Sequence, residues 1–423
     1  MSKRKHLMIG CGSAALSALK RMRKLGSEDE VKLVTMENHA PYSPMSLPYL
    51  LSGKKRESDI YLTESHFFDS MKATLITGRR VTGIHPGDKS VAYDNGGKES
   101  YDTLLIATGS QPVKPRIKGL EGKHFLGFHT LDDYHEIREH LREASEVVVL
   151  GAGLVGMEVA AALSERGYKV RVLEKEKRVL PLSFDEPVGA YISQIYAEHS
   201  VDVFLDKEVT EIRTTTNKRE IVCADGDVFQ ADLMVCCVGV SSRVSMLDGS
   251  GIEADRGVLV DNRMRTNMDG IYAAGDVAEA PDFFTGKNGL SPILPSAVEQ
   301  GKIAGSNMIG EKAFYDGWLS MNLYNFFGHL AVSIGEFTSS NGDEVLTERD
   351  DDKREYGKIV CRENRLVGAN FFNVDLDGGV LQYLIKNRID ISASKSRLLE
   401  QPKEVGLWLM HEAEKRGTLS LEH

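Results

Sequence analysis

Short apolar runs that stop at a glycine or an acid recur along the chain. His6-Leu-Met-Ile9 runs into Gly10, and Val31-Lys-Leu-Val-Thr-Met-Glu37 ends on an acid. Val147-Val-Val-Leu150 runs into Gly151, and Lys169-Val-Arg-Val-Leu-Glu174 again ends on an acid. Tyr101-Asp-Thr-Leu-Leu-Ile-Ala-Thr-Gly109, Ala231-Asp-Leu-Met-Val-Cys-Cys-Val-Gly239 and Gly270-Ile-Tyr-Ala-Ala-Gly-Asp276 follow the same pattern. Nearly continuous apolar runs of this length predict strands buried on both faces of a parallel sheet. Between them the pattern turns helical, to about Leu25 after the first glycine turn and over 157–166 after the second. From Gly317 the pattern changes to short aromatic and β-branched strands over 330–334, 356–361 and 365–372, with a helix near 379–386. The prediction is an α/β fold with two Rossmann-like units, the second inserted in the first, and a C-terminal α+β unit. The expected boundaries are 1–115 with 240–316, then 116–239, then 317–423.

The two glycine turns carry candidate chemistry. The first reads Gly10-x-Gly12-x-x-Ala15 and the second Gly151-x-Gly153-x-x-Gly156. The first glycine permits the sharp turn, the second lets backbone approach a diphosphate, and the third small residue lets helix and strand pack closely. A diphosphate then rests on the unpaired N–H groups and positive end of the helix. Glu37 and Glu174 stand 27 and 23 residues beyond the first glycines, where an acid accepts hydrogen bonds from ribose hydroxyls. Two such copies predict two bound dinucleotides.

Composition narrows the partners. Lys plus Arg number 52 and Asp plus Glu 62 among 423 residues, a net charge of −10, so nothing draws the chain to nucleic acid or anionic lipid. Hydrophobic residues make up 41%, which excludes a disordered chain. The 40 glycines against 12 prolines suit a fold built on tight turns and close backbone approach. Five scattered cysteines suit neither a disulfide framework nor a metal site. No run is long enough to span a membrane, and residues 1–10 lack the apolar length of a signal peptide. A cytoplasmic protein is expected.

The ordered set Gly10-x-Gly12-x-x-Ala15, Ala107-Thr-Gly109, Gly151-x-Gly153-x-x-Gly156-x-Glu158, Val238-Gly239 and Ala274-Gly275-Asp276 resembles the pyridine-nucleotide/FAD oxidoreductases. Within that group it is similar to NADH-dependent ferredoxin and rubredoxin reductases and to the flavin module of nitrite reductase. The resemblance spans about residues 5–400. It implies FAD on the first unit, NADH on the second, and hydride transfer from nicotinamide C4 to flavin N5.

It further implies that Gly10, Gly12, Ser13, Ala14 and Ala15 hold the FAD diphosphate, with Glu37 and Asn38 at the adenosine ribose. Val81 would meet adenine, while Ser46, Ala107, Thr108, Gly109 and Gly275 would lie along the cofactor. Asp276 would bind the ribityl chain, and the helix near Ser296 and Ala297 would aim its N-terminus at the flavin. Gly151, Gly153, Leu154, Val155 and Gly156 would carry NADH, with Glu174 at its ribose and Val238 and Gly239 beside it. Glu158 would be the catalytic residue, near the nicotinamide. Lys175, Lys177 and Arg178 follow Glu174 and leave some tolerance of NADPH open.

Three departures matter. Disulfide reductases of the group carry a cysteine pair near residue 45, and peroxide or oxygen reductases carry one; here residues 41–49 read Pro-Tyr-Ser-Pro-Met-Ser-Leu-Pro-Tyr, with Met45. Tyr49 stands where several ferredoxin reductases place a lysine that pairs with the acid matched by Glu158. Val240-Ser-Ser-Arg243 replaces a common Arg-Pro-Asn, leaving Arg243 at the site mouth or in a plain loop. Electrons are therefore expected to leave by the flavin itself, to a ferredoxin-like iron–sulfur protein or partner subunit in a hetero-oligomeric complex. The 41–49 stretch resembles the FAD subunits of anaerobic multi-subunit complexes.

Two features suggest where a partner binds. Lys386, Arg388, Lys395 and Arg397 form either a docking patch or a solvated face, and the apolar stretch 405–410 with Trp408 either enters a partner or packs on its own unit. Two other readings stay open: an NADH oxidase or disulfide/peroxide reductase-like flavoenzyme, and a flavoprotein of assembly or interaction.

Overall fold

The computed structural model describes residues 3–120, 125–215, 218–415 and 417. The chain divides into two compact units. The first holds Met1–Val113, His129–Leu131 and Gly239–Leu319; the second holds Lys114–Phe128, Asp132–Val238 and Ser320–His423.

The first unit is built on a five-stranded parallel sheet. Its order is Ile271–Ala273, Thr103–Ile106, Lys5–Ile9, Glu30–Val34, Ala73–Ile76. The strand expected over 31–37 ends at Val34, so Glu37 lies on the loop beyond it. Leu104, Leu105, Ile106 and Met8 are fully buried, as strands covered on both faces require. Helices Ser13–Lys24 and Leu294–Met308 pack against each other. They come close because a Cβ on Gly301 or Gly305 would strike the backbone of Ala14 or Ala18.

The second unit begins with a four-stranded parallel sheet, ordered Val201–Phe204, Lys169–Leu173, Glu146–Leu150, Leu233–Cys236. The helix after its glycine turn runs Leu154–Ser164, three residues earlier than the pattern suggested, because it starts directly on the turn. The C-terminal segment adds a five-stranded antiparallel sheet, ordered Met321–Phe326, His329–Gly335, Arg365–Phe372, Glu355–Arg362, Glu344–Asp350. Its two edge strands escaped the sequence pattern: Met321–Phe326 alternates only partly, and Glu344–Asp350 is mostly polar and exposed. The segment packs against the helix Glu186–Glu198 of its own unit and the residue before it. Tyr191 stacks on Phe372 at 5.4 Å, and Lys358 pairs with Asp185 at 3.0 Å.

Helix Pro402–Lys415 carries the apolar stretch singled out by sequence. Val405, Gly406 and Leu409 face inward, while Leu407 and Trp408 remain 42% and 48% exposed. Among the described residues, no helix is long and apolar enough to cross a membrane.

Candidate functional site

The carboxyl ends of the first unit's strands open onto a cleft, as the switch point of an open α/β sheet requires. Gly10 turns the chain there at φ +108, and a Cβ on it would collide with the Ala107 carbonyl. Gly12 has ordinary φ, but a Cβ on it would meet nothing within 4 Å, so the methyl would project toward the space a ligand needs. The first turn of Ser13–Lys24 therefore offers its free N–H groups to an anion.

Ser13, Ala14, Glu37, Val81, Ala107, Thr108, Gly109, Gly275, Asp276 and Ala297 all line this cleft beside Gly10 and Gly12. Ala15, Asn38, Ser46 and Ser296 do not line it. Ala15 is fully buried behind the turn, Ser296 bonds Ser291 at 2.9 Å, and the Ser46 hydroxyl lies 3.5 Å from the Lys55 ammonium.

The polar groups are held by bonds across long stretches of sequence. Tyr42 donates to Glu37 at 2.7 Å and accepts the Leu131 amide at 2.9 Å. Ser110 donates to Asp276 at 2.8 Å. The Gln300 side chain accepts the Gly275 amide at 2.8 Å. Arg243 belongs to the cleft rather than to a plain loop: its Nε donates to the Ser110 carbonyl at 2.7 Å, and its carbonyl accepts the Thr108 hydroxyl. Arg79 and Arg80 also line the cleft. No sequence motif marks them, and with Arg243 they put three cationic side chains in the lining of the cleft, where an anionic ligand is favoured. The glycine turn and the open helix end together fit the diphosphate of the expected FAD.

The second unit repeats the turn. Gly151 has φ +103, and a Cβ on it would strike the Cys237 carbonyl. A Cβ on Gly153 would meet nothing within 4 Å, and one on Gly156 would strike the Gly151 carbonyl. Gly156 thus lets helix and turn pack, and Gly153 leaves backbone open, with Leu154 and Val155 beginning the helix. Glu174 is buried, and its carboxylate accepts the Ala152 amide at 2.6 Å and the Glu176 amide at 2.9 Å. The acid at the strand end therefore also holds the turn. Arg178 donates to the carbonyls of Phe184 and Pro181, so its guanidinium is engaged by its own loop. Val238 is 37% exposed just past the last strand, and Gly239 opens the following segment of the first unit.

Glu158 lies in the second turn of Leu154–Ser164, and burial pushes its carboxyl up to about 7. The cysteines are poor nucleophiles. Burial pushes Cys11 and Cys236 up to about 12 and Cys361 to about 11, and it also raises Cys223 and Cys237. None is bridged. At the cleft rim stands Met45, 61% exposed, on the short helical turn Pro44–Ser46. In the basic cluster, Lys395 is taken up by Glu344 and Asn364 of its own unit.

Comparison with known proteins agrees with this geometry. The family model described as pyridine nucleotide-disulphide oxidoreductase matches residues 4–301. The chain is 34% identical to the NADH-dependent phenylglyoxylate dehydrogenase subunit epsilon of Aromatoleum evansii, over 96% of this chain and 97% of that one. It is 30% identical to an NADH oxidase of Methanocaldococcus jannaschii, over 73% of this chain and 71% of that one. A ferredoxin reductase from Rhodopseudomonas palustris has the same fold, with a TM-score of 0.81 at 22% identity over 88% and 91% of the two chains. The chain belongs to the FAD-dependent pyridine nucleotide-disulphide oxidoreductase family.

Proposed function

We propose that this chain is an FAD-dependent NADH:acceptor oxidoreductase that passes electrons between NADH and an iron–sulfur protein, as the electron-transfer subunit of a larger complex in the cytoplasm. The division follows the sequence: 1–115 with 240–316 for FAD, 116–239 for NADH, and 317–423 as the C-terminal unit. Bound FAD supplies a two-electron acceptor that can return electrons one at a time.

The residues bind, orient and exclude water. Gly10, Gly12 and Ser13 present backbone to the FAD diphosphate, while Glu37, held by Tyr42, takes the ribose. Asp276, held by Ser110, takes the ribityl chain. The Leu294–Met308 helix directs its N-terminus into the cleft and so favours negative charge there. In the second unit the turn from Gly151 to Gly156 holds NADH, Glu174 selects the 2′-hydroxyl, and Glu158 borders the nicotinamide. A carboxylate at Glu174 repels a 2′-phosphate, and Arg178 is engaged elsewhere, so NADH is preferred over NADPH.

One observation carries the choice of acceptor: Met45 at the cleft rim, where thiol-using relatives need a cysteine. No thiolate stands there to attack a disulfide or peroxide. The end-to-end match to a protein named as a subunit supports a protein partner. Five unbridged cysteines support a reducing compartment.

Anaerobic NADH titration tests the reading, followed by addition of a 2Fe–2S ferredoxin. Rapid flavin bleaching and stoichiometric ferredoxin reduction are expected. No bleaching overturns the enzyme reading in favour of an assembly role. The match to an NADH oxidase favours a second reading. Oxygen consumption faster than ferredoxin reduction would establish it.

A further inference from the structure

Two buried tyrosines connect the C-terminal sheet to the helix that starts on the second glycine turn. Tyr324 lies on the edge strand Met321–Phe326, and Tyr196 on the helix Glu186–Glu198. Both are at most 1% exposed. The Tyr196 hydroxyl donates to the Met157 carbonyl at 2.8 Å, and the two tyrosine hydroxyls bond each other. With the Tyr196 proton on Met157, the proton between the rings comes from Tyr324.

The shell around them is apolar. Phe326 stacks on Tyr324 at 4.7 Å, and Phe327 meets the Tyr196 ring edge-on at 5.1 Å. Burial raises both phenols, so they remain neutral donors. Met157 immediately precedes Glu158, whose charge is felt by both phenols. A helix carbonyl has a second lone pair beyond its helical bond, and here Tyr196 uses it.

We propose that Tyr196 and Tyr324 are positioning residues for the coenzyme: their hydroxyl pair fixes the Met157 carbonyl, and with it the helical turn from Gly153 to Glu158 that receives the nicotinamide nucleotide. The proposal rests on the reading of the Gly151 turn as the NADH site. It gives the C-terminal sheet a role in coenzyme binding through a chain of three polar atoms set among packed aromatic rings. A buried hydrogen bond whose partner is deleted leaves an unpaired group, so the effect is measurable.

The test uses the holoprotein and the variants Tyr324→Phe and Tyr196→Phe. Tyr191→Phe serves as the control. Tyr191 lies on the same helix and bonds Asp351 of the same C-terminal segment at 2.6 Å, without touching the Met157 carbonyl. NADH Kd is read from coenzyme fluorescence, beside the NADH KM and kcat. Both hydroxyl deletions are expected to raise Kd and KM about three- to tenfold while dithionite reduces the flavin as in the wild type. Tyr191→Phe should lower the melting midpoint without moving Kd. An unchanged Kd in both deletions, or an equal rise in Tyr191→Phe, overturns the proposal.

Amide exchange of the wild-type holoprotein gives a measurement that needs no variant. NADH should slow exchange in Met321–Phe326 together with Leu154–Ser164, since coupling is reciprocal. Slowing in the helix alone overturns the proposal. A wild type that binds no NADH instead refutes the reading of the turn itself, and the proposal falls with it.

Discussion

The Glu174 carboxylate accepts the Ala152 amide at 2.6 Å, joining the end of one strand to the middle of the glycine turn 22 residues earlier. The acid proposed to select the coenzyme therefore also shapes the turn proposed to hold its diphosphate. Glu174→Ala leaves a buried N–H unpaired at a cost of about 1–3 kcal/mol. It should raise the NADH KM about tenfold and narrow the gap to NADPH. Steady-state rates with both coenzymes decide; an unchanged ratio of the two would show that Glu174 only holds the turn.

Gly10→Ala and Gly12→Ala should part company. At Gly10 the methyl meets the Ala107 carbonyl with φ +108, so the fold itself is strained. At Gly12 the methyl meets no protein atom within 4 Å. Gly12→Ala should keep the apoprotein's melting midpoint and lose flavin affinity about tenfold or more. Gly10→Ala should lose both. Flavin absorbance per chain and apoprotein thermal melts read the two effects separately.

Stability should depend on pH through Glu158. Burial lifts its carboxyl from 4.5 to about 7 in the folded chain. The native state then holds a proton that the unfolded state releases, so this contribution is full below about pH 4.5 and is lost as pH rises to about 7. Glu158→Gln should therefore be more stable than wild type at pH 8, by about 3 kcal/mol at most, and equal to it at pH 4.5. Urea midpoints at the two pH values check this, and an equal difference at both would refute it.

Thiol reagents should act slowly on the native protein. With Cys11 and Cys236 near 12 and Cys361 near 11, the thiolate fraction at pH 8 is small. Iodoacetamide labelling should run about a hundredfold or more slower than in the urea-unfolded chain. NADH-driven flavin reduction should survive the treatment. Fast loss of activity would restore a thiol mechanism.

Much of the architecture was legible because its causes are local. The strands ending at Ile9 and Leu150 follow from apolar runs meeting glycine turns, whereas the helices begin inside those turns, at Ser13 and Leu154, earlier than their apolar pattern marks. The strand Arg365–Phe372 matched its pattern end to end, since seven of its eight residues are buried. The edge strand Glu344–Asp350 left little trace, because only one of its faces meets protein and its residues are mostly exposed and polar.

The candidate site divides in the same way. The turns, Glu37 and Glu174 could be named from spacing, since a phosphate cradle is built from consecutive backbone, and Asp276 from the family resemblance. Arg79, Arg80 and the orientation of Arg243 could not, because they reach the cleft from loops that only folding brings together.

By itself, the sequence determined two nucleotide turns and a missing thiol at Met45, properties written in neighbouring residues. Only the tertiary structure decided what holds those turns in place. Gln300 on Gly275, Tyr42 on Glu37 and Leu131, and Tyr324 on Tyr196 each depend on where packing sets a side chain. The physical reason is that a turn is specified by the φ of a few adjacent residues. A buried hydrogen bond between distant residues is specified by the whole core that brings them together.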